Sequence, residues 1–174
     1  MFIRRERSDD DAAVGAVLAM AFATAQEAER TVPVEVGLVK ELRADEGWLP
    51  ALSLVAVQPG DSEVIGHVVC TRGSVDGSPA LGLGPLAVRP DRQRQGVGTA
   101  LMHAVLGAAD ALEEPLVALL GDPSYYSRFG FLPAREYDIV PPNPEWGRHF
   151  QVRALSAYRS LSGTFSYAKP FGRL

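Results

Sequence analysis

Apolar residues recur with the spacing of an α-helix in three stretches of the chain. In the first stretch, Val14, Val17 and Leu18 fall on one face of the helix that the spacing predicts. Proline opens the second stretch and glycine closes it, as is typical of helix ends. The three predicted helices cover residues 9–25, 33–47 and 97–112.

Between and after these helices the pattern changes to short apolar runs rich in β-branched residues, which predict strands. Pro59-Gly60-Asp61 and residues 74–79 carry the residue types of turns, so the middle runs form a meander. A short helix is predicted near 123–129. The predicted strands are residues 2–5, 51–57, 63–71, 80–88, 116–120, 150–155 and 163–167. This alternation of elements predicts one α/β (α+β) domain built on a central sheet.

The size and charge of the chain narrow the possible functions. Its 174 residues suit one domain, and 17 basic against 21 acidic residues give a net charge of −4. That balance disfavours a general nucleic-acid binder. The lone Cys70 allows no internal disulfide, which fits a reducing compartment. Acidic residues directly precede the uncharged run 12–26, so we expect a cytoplasmic protein with neither a signal peptide nor a membrane span.

The segment 86–101 carries the strongest chemical signal. Its loop holds three arginines and one aspartate, and Gly96 and Gly98 follow at the start of a predicted helix. Glycines there allow a ligand to approach the backbone, and the unpaired N–H groups of a first helical turn attract phosphate oxygens. The segment therefore predicts a pyrophosphate cradle. The alternative is that the glycines only ease a tight strand-to-helix connection.

Two other nucleotide motifs do not fit. The chain contains no G-x-x-x-x-G-K-[ST] sequence. The segment Gly82–Ala87 matches G-x-G-x-x-A, but Pro85 and Pro90 prevent the helix that must follow in a dinucleotide-binding fold. A nucleotide-binding module is accordingly disfavoured.

Two motifs together resemble the GNAT superfamily of N-acetyltransferases over about residues 1–140. Val88-Arg89-Pro90 followed by Gln93-x-x-Gly96-x-Gly98 is similar to the acetyl-CoA motif of that family, and residues 126–131 are similar to its Y-x-x-x-G-F motif. The resemblance implies a mixed sheet of about seven strands, splayed between strands 4 and 5 and flanked by about four helices. It also implies one domain over residues 1–174, with 132–174 as its variable C-terminal part.

The activity that the resemblance implies is direct transfer of an acetyl group from acetyl-CoA to a primary amine in a ternary complex. Val88 would offer its backbone N–H to the thioester oxygen, and Tyr126 would act as general acid to the departing sulfur. Asp122 stands where many relatives carry Asn, so it either binds the cosubstrate or caps the next helix. The implied acetyl-CoA-binding residues are Leu86, Ala87, Val88, Gln93, Arg94, Gln95, Gly96, Val97, Gly98, Thr99, Asp122 and Arg128.

The remaining roles are open at this stage. The general base is not identified, although Glu27, Glu29 and Glu35 lie around the helices that would line the acceptor side. We expect the three histidines to be structural, because their spacing matches no metal site. Tyr125, Tyr137 and Trp146 are candidates for packing or for an acceptor wall. An acyl-CoA-binding sensor without turnover is the alternative function, and a homodimer is the assembly that such relatives often form.

Overall fold

The computed structural model describes residues 1–23, 32–60 and 62–173, and its elements follow the predicted order. The helices are α1 (Asp11–Phe22), α2 (Val34–Ala44), α3 (Val97–Ala111) and α4 (Pro123–Tyr126). The strands are β1 (Phe2–Arg5), β2 (Ser53–Val57), β3 (Val64–Val75), β4 (Ser78–Val88), β5 (Leu116–Leu120), β6 (Leu132–Pro133), β7 (Ile139–Val140), β8 (Phe150–Ala154) and β9 (Gly163–Ser166).

The strands form one mixed sheet in the order β1-β2-β3-β4-β5-β8-β6. Neighbours on this path are antiparallel except for β4 and β5, which run parallel. Strand β9 adds to the far end of β3 and also pairs with β7. The expected mixed sheet and its four flanking helices are therefore confirmed within the described residues, with the two-residue strands β6 and β7 as additions.

The β3–β4 hairpin is longer than the sequence suggested. Residues 74–79 were expected to form a turn, but the ladder continues through Ser74↔Pro79 and Val75↔Ser78. Only Asp76 and Gly77 form the connection, with φ of +44° and +82°. Asp-Gly is a favoured pair for such a two-residue turn, since both positions require positive φ.

The helices cover the two faces of the sheet. Strand residues alternate between faces, so Leu54, Val68 and Leu86, which are aligned across three strands, point to the side of α3. The neighbouring set Val55, His67 and Ala87 points to the side of α1 and α2. The core therefore lies in two layers that sandwich β2–β5.

Strands β4 and β5 separate soon after they meet. Their ladder consists of Leu81↔Val117 and Gly82↔Ala118. Beyond it the register of β3 with β4 shifts between Val68 and Cys70, so that β4 carries one extra residue around the cis bond Gly84-Pro85. A Gly-Pro pair inside a strand is typical of a bulge, because proline lacks the N–H that the ladder needs. The expected splay between strands 4 and 5 is confirmed.

The C-terminal segment 163–173 closes one side of this opening. Phe165 is buried, and the ring of Tyr167 packs on Gly82 so closely that an added Cβ would lie 2.5 Å from the ring. Glu46 and Lys169 form an ion pair of 2.7 Å between the end of α2 and this segment. The segment therefore contacts both β4, at the edge of the opening, and the end of α2.

Candidate active site

A cleft of about 890 Å³ lies where β4 and β5 diverge. Residues 83–86 form its β4 border, Leu119 and Leu120 its β5 border, and Tyr126 lines it as well. The volume is in the range of sites that enclose small molecules. The separation of the two strands therefore produces a binding-sized space inside the sheet.

Strand β4 points backbone N–H and C=O groups toward this opening. The N–H of Arg89 donates to Ile65 of β3 over 3.0 Å. Because backbone groups alternate along a strand, the N–H and C=O of Leu86 and Val88 point to the other edge, toward the opening. The C=O of Val88 accepts a 3.1 Å hydrogen bond from the side chain of Gln93 there. The side chains of Leu86 and Val88 pack against the core, as expected.

The loop after β4 is held by its own hydrogen bonds. Arg89 donates to both carboxylate oxygens of Asp91 over 2.8 and 2.9 Å and also pairs with Glu63. The side chain of Gln95 donates to the Asp91 carbonyl over 3.0 Å. Arg92 also lies near Asp91, at 3.7 Å. The third arginine of the loop, Arg94, is exposed and forms no ion pair with any described residue.

Helix α3 begins at this loop through left-handed backbone. Arg94 has φ of +58° and Gly96 has φ of +85°. The carbonyl of Gly96 accepts the first helical hydrogen bond, from Ala100. The N–H groups of the first turn, at residues 97–99, have no partner within the helix, and residues 93–96 beside them are exposed. A Cβ on Gly96 would meet open space, so this turn is accessible to a ligand.

Helix α4 packs its first tyrosine onto the start of α3. A Cβ on Gly98 would lie 2.8 Å from the Tyr125 hydroxyl, so only glycine fits without a shift. Arg128 lies over the Tyr125 ring, 4.7 Å from its centre, and the Tyr126 ring meets the Tyr125 ring edge-on. Tyr125 therefore has a packing role, which is one of the two roles expected for it. Its contact with Gly98 connects α4 to the start of α3.

Tyr126 lies on the cleft side of α4. Its ring fills the space beside Gly121 and packs edge-on against Phe131 at 6.0 Å. Burial, with a smaller contribution from Tyr125, raises the pKa of Tyr126 to about 12. The hydroxyl is therefore fully protonated at neutral pH and can serve as a donor.

Asp122 caps α4. Its carboxylate accepts a 2.8 Å hydrogen bond from the backbone N–H of Ser124, and that bond lowers the pKa of Asp122. The capping alternative raised for Asp122 is thus present in the structure. Asp122 is exposed and does not line the cleft.

The opposite side of the cleft comes from segments far apart in sequence. Glu35 enters from the first turn of α2, and Trp146 enters from the loop before β8. Tyr167 and Phe171 of the C-terminal segment complete this wall, and the sequence analysis missed both. Their only signal was the aromatic residues in the final apolar run. Tyr137, by contrast, packs against Tyr158 at 5.5 Å and does not line the cleft.

Two of the predicted structural histidines, His67 and His103, lie away from the cleft. Glu27 and Glu29 are outside the described residues. His103 packs edge-on against Phe129 at 5.3 Å. His67 is fully buried and contacts Ser53 and Glu6 on the α2 side of the sheet.

Among residues 1–23, 32–60 and 62–173, no three His, Cys, Asp or Glu side chains are grouped to hold a metal ion. Within those ranges, no helix is long and apolar enough to cross a membrane.

An opened parallel strand pair beside a glycine-rich helix start is the arrangement of the GNAT acetyltransferase fold, and comparison with known proteins agrees. Residues 51–133 match the acetyltransferase (GNAT) domain family. The chain is 33% identical to the uncharacterized N-acetyltransferase YhbS of Escherichia coli (strain K12), over 99% of each chain. It therefore belongs to the GNAT family and is an acyltransferase, as its motifs implied.

Two solved structures extend the comparison. The GNAT family N-acetyltransferase YhbS from E. coli, in complex with CoA, superposes with a TM-score of 0.88 at 31% identity and covers 99% of this chain and 92% of that chain. A GNAT family acetyltransferase from Brucella melitensis, in complex with acetyl-CoA, has a TM-score of 0.77 at 30% identity, over 98% and 97%. The similarity includes the C-terminal part that varies within the superfamily.

Proposed function

We propose that the protein transfers an acetyl group from acetyl-CoA to a primary amine by direct attack, with both substrates bound at once. The observation that carries the proposal is the β4 edge at Leu86 and Val88, whose backbone groups point away from β3 toward the opening. This edge leads directly into the exposed loop 93–96 before α3. Relatives of about 30% identity bind CoA or acetyl-CoA. The same fold therefore supplies a phosphate cradle, a strand for the pantetheine amides and a space for the amine.

The residues of this chain fit the cosubstrate. The first-turn N–H groups at residues 97–99 and the exposed Arg94 supply donors and positive charge for the pyrophosphate. Leu86 and Val88 offer alternate N–H and C=O groups along the opening, as an added strand would require. We assign Gln93–Thr99 to the pyrophosphate and Leu86–Val88 to the pantetheine. Asp122 and Arg128 remain candidates for further contacts at the cradle side.

The chemical step follows from the same geometry. The amine arrives as an ammonium ion and first loses one proton to solvent, which frees the nitrogen lone pair. The nitrogen then attacks the thioester carbon, a C–N bond forms and the C–S bond breaks. The Val88 N–H faces the opening and stabilises the negative charge that develops on the thioester oxygen. Tyr126 donates its proton toward the departing sulfur, and the proton that the nitrogen releases on forming the amide restores the tyrosine.

The pKa of Tyr126 constrains that step. A phenol of pKa about 12 does not give its proton freely to a thiolate, whose ordinary pKa is about 8.5. Proton transfer from Tyr126 must therefore be coupled to proton loss at nitrogen. We expect Tyr126→Phe to lower kcat roughly 100-fold, which is the lower end of the range of one acid contribution, while the Kd for acetyl-CoA is unchanged.

The matched control is Tyr137→Phe, because Tyr137 packs against Tyr158 and does not line the cleft. It should keep kcat within about twofold of the original. Equal rates for the original protein and Tyr126→Phe would contradict the acid role.

Ligand-dependent thermal unfolding tests the cosubstrate. Acetyl-CoA at 100 times its Kd stabilises the folded state by about 2.7 kcal/mol, which raises the midpoint by roughly 5–10 °C at this size. ATP and NADH serve as controls. Arg94→Asn keeps the left-handed backbone accessible and removes the cation, so it should weaken acetyl-CoA binding. Arg135→Asn, a substitution on the exposed surface, should not.

Release of the CoA thiol on adding amines then separates an enzyme from a sensor. A sensor binds acetyl-CoA and releases no thiol with any amine. A protein that acetyl-CoA does not stabilise would refute both functions.

A further inference from the structure

We propose that the acceptor is a primary monoamine carried on an apolar or aromatic body, and that Glu35 binds its ammonium group. This inference rests on the proposed function, because it assigns the acceptor side of the same cleft. Three features carry it: one carboxylate without an ion pair, the composition of the cleft walls, and the absence of a second carboxylate among the described lining residues.

The described residues that line the cleft include two charged side chains of opposite sign, Glu35 and Lys169. Lys169 pairs with Glu46 at 2.7 Å, and both of these side chains are more than three-quarters exposed. Glu35 is half-buried and forms no ion pair with any residue in the described ranges. Its carboxylate therefore gives the cleft a site for one cation.

The walls around this carboxylate are apolar and largely aromatic. Tyr167 and Phe171 stack with ring centres 4.7 Å apart, and Trp146 meets Tyr167 edge-on at 6.3 Å. The lining also includes the apolar side chains of Phe22, Leu38, Leu119, Leu120 and Phe165 and the polar residues Asn143, Thr164 and Ser166. Contact between these walls and an apolar ligand surface is favourable, because it removes both surfaces from water. Aromatic faces also attract a cation placed beside them.

Substrates with several charges do not match this cleft. A polyamine bound there would place one cation near Glu35 and the others against apolar walls, where unpaired charges are costly to bury. An acidic amine would bring its carboxylate toward Glu35 and be repelled. A monoamine with an apolar body satisfies both the carboxylate and the walls.

Binding can be measured separately from turnover by the fluorescence of Trp146, because this tryptophan lines the cleft. The other tryptophan, Trp48, is replaced by Phe to remove its background. With CoA bound, the protein is titrated with 2-phenylethylamine, hexylamine, spermidine and an alanine-starting tripeptide. We expect the two monoamines to change the signal at roughly tenfold or more lower concentration than the other two.

Glu35→Gln is the decisive variant. It should weaken monoamine binding roughly 10- to 100-fold, as loss of a charged hydrogen-bond partner does, and raise the KM more than it lowers kcat. Glu41→Gln is the matched control on the same helix, because Glu41 pairs with Arg173 on the surface and does not line the cleft.

The outcomes separate this inference from the proposed function. If spermidine or the peptide is acetylated with the highest kcat/KM, or if Glu35→Gln binds monoamines as the original does, the acceptor assignment is wrong and acetyl transfer stands. If monoamines bind through Glu35 and no amine releases CoA from acetyl-CoA, the binding assignment stands and the proposed reaction is wrong.

Discussion

Protonation of Glu6 should destabilise the fold by an amount that the structure sets. Arg43 donates to its carboxylate over 2.7 Å, His67 Nε2 lies 3.1 Å away, and the Ser53 hydroxyl also donates to it. Burial alone would raise the pKa of Glu6. The hydrogen bonds with His67 and Ser53, together with the electrostatic contributions of His67 and Arg43, outweigh burial and lower the pKa from 4.5 to about 2. Since one pKa unit corresponds to about 1.4 kcal/mol, ionised Glu6 contributes about 3 kcal/mol.

The sign of the pH effect follows from the lowered pKa. The contribution is fully present above pH 4.5, the ordinary pKa of glutamate, and is lost as the pH falls to about 2. Glu6→Gln should therefore lower the free energy of unfolding by about 3 kcal/mol at pH 7. The difference between the two proteins should shrink steadily between those two pH values.

Urea unfolding followed by circular dichroism at several pH values measures both curves. Other carboxylates titrate in both proteins, so their effects cancel in the difference. Glu41→Gln is the control, because its partner Arg173 lies on the surface and such pairs contribute little. A difference between the original and Glu6→Gln that stays constant from pH 7 to pH 2 would show that Glu6 has no lowered pKa.

Two further predictions concern the packing of Gly82 beside the cleft and the cap of α4. Gly82→Ala would bring a Cβ to 2.5 Å from a Tyr167 ring carbon, so we expect a loss of roughly 1–3 kcal/mol in urea unfolding. Gly107→Ala, in open space on α3, should instead stabilise by about 0.5–1 kcal/mol, and equal effects at the two glycines would contradict the assigned contact. Asp122→Ala should lower the free energy of unfolding by removing the α4 cap, whereas Asp122→Asn should restore most of the stability. Weaker acetyl-CoA binding in Asp122→Asn would favour a binding role over capping.

The parts of the molecule that the sequence predicted best are those built from contiguous residues. The cradle and the β4 edge lie within residues 86–99, so their turn chemistry and glycine positions are visible in a single motif. The Gly84-Pro85 bulge was predictable for the same reason, because proline removes a ladder donor wherever it occurs. The family motifs then added the splay, which no local pattern shows.

The hairpin end shows where local reasoning was wrong. Ser74, Gly77 and Pro79 together have the composition of a loop, yet the ladder runs through the segment and turns at Asp76-Gly77. Pairing of β9 with Ser74 and Val75 gives this end of β3 a second partner from a distant part of the chain. Such a tertiary contact leaves no periodic signal near the hairpin.

The acceptor wall was less predictable because its members are distant in sequence. Glu35, Trp146 and Phe171 meet only after the sheet forms and β9 joins β3. Taken alone, each of these residues has an ordinary structural explanation, on a surface helix, in a loop or in a packed C-terminal segment. The sequence therefore named Glu35 and Trp146 as candidates without the neighbours that define their roles.

Because the C-terminal segment lines only part of the cleft, substitutions can affect the two halves of the cleft separately. The half that we assign to acetyl-CoA comes from one short continuous run, in which a substitution alters several donors at once. The half that we assign to the amine combines residues from α1, α2, the loop before β8 and the segment after β9. Selection or engineering can exchange these wall residues one at a time and shift acceptor preference while the acetyl-donor half is left intact.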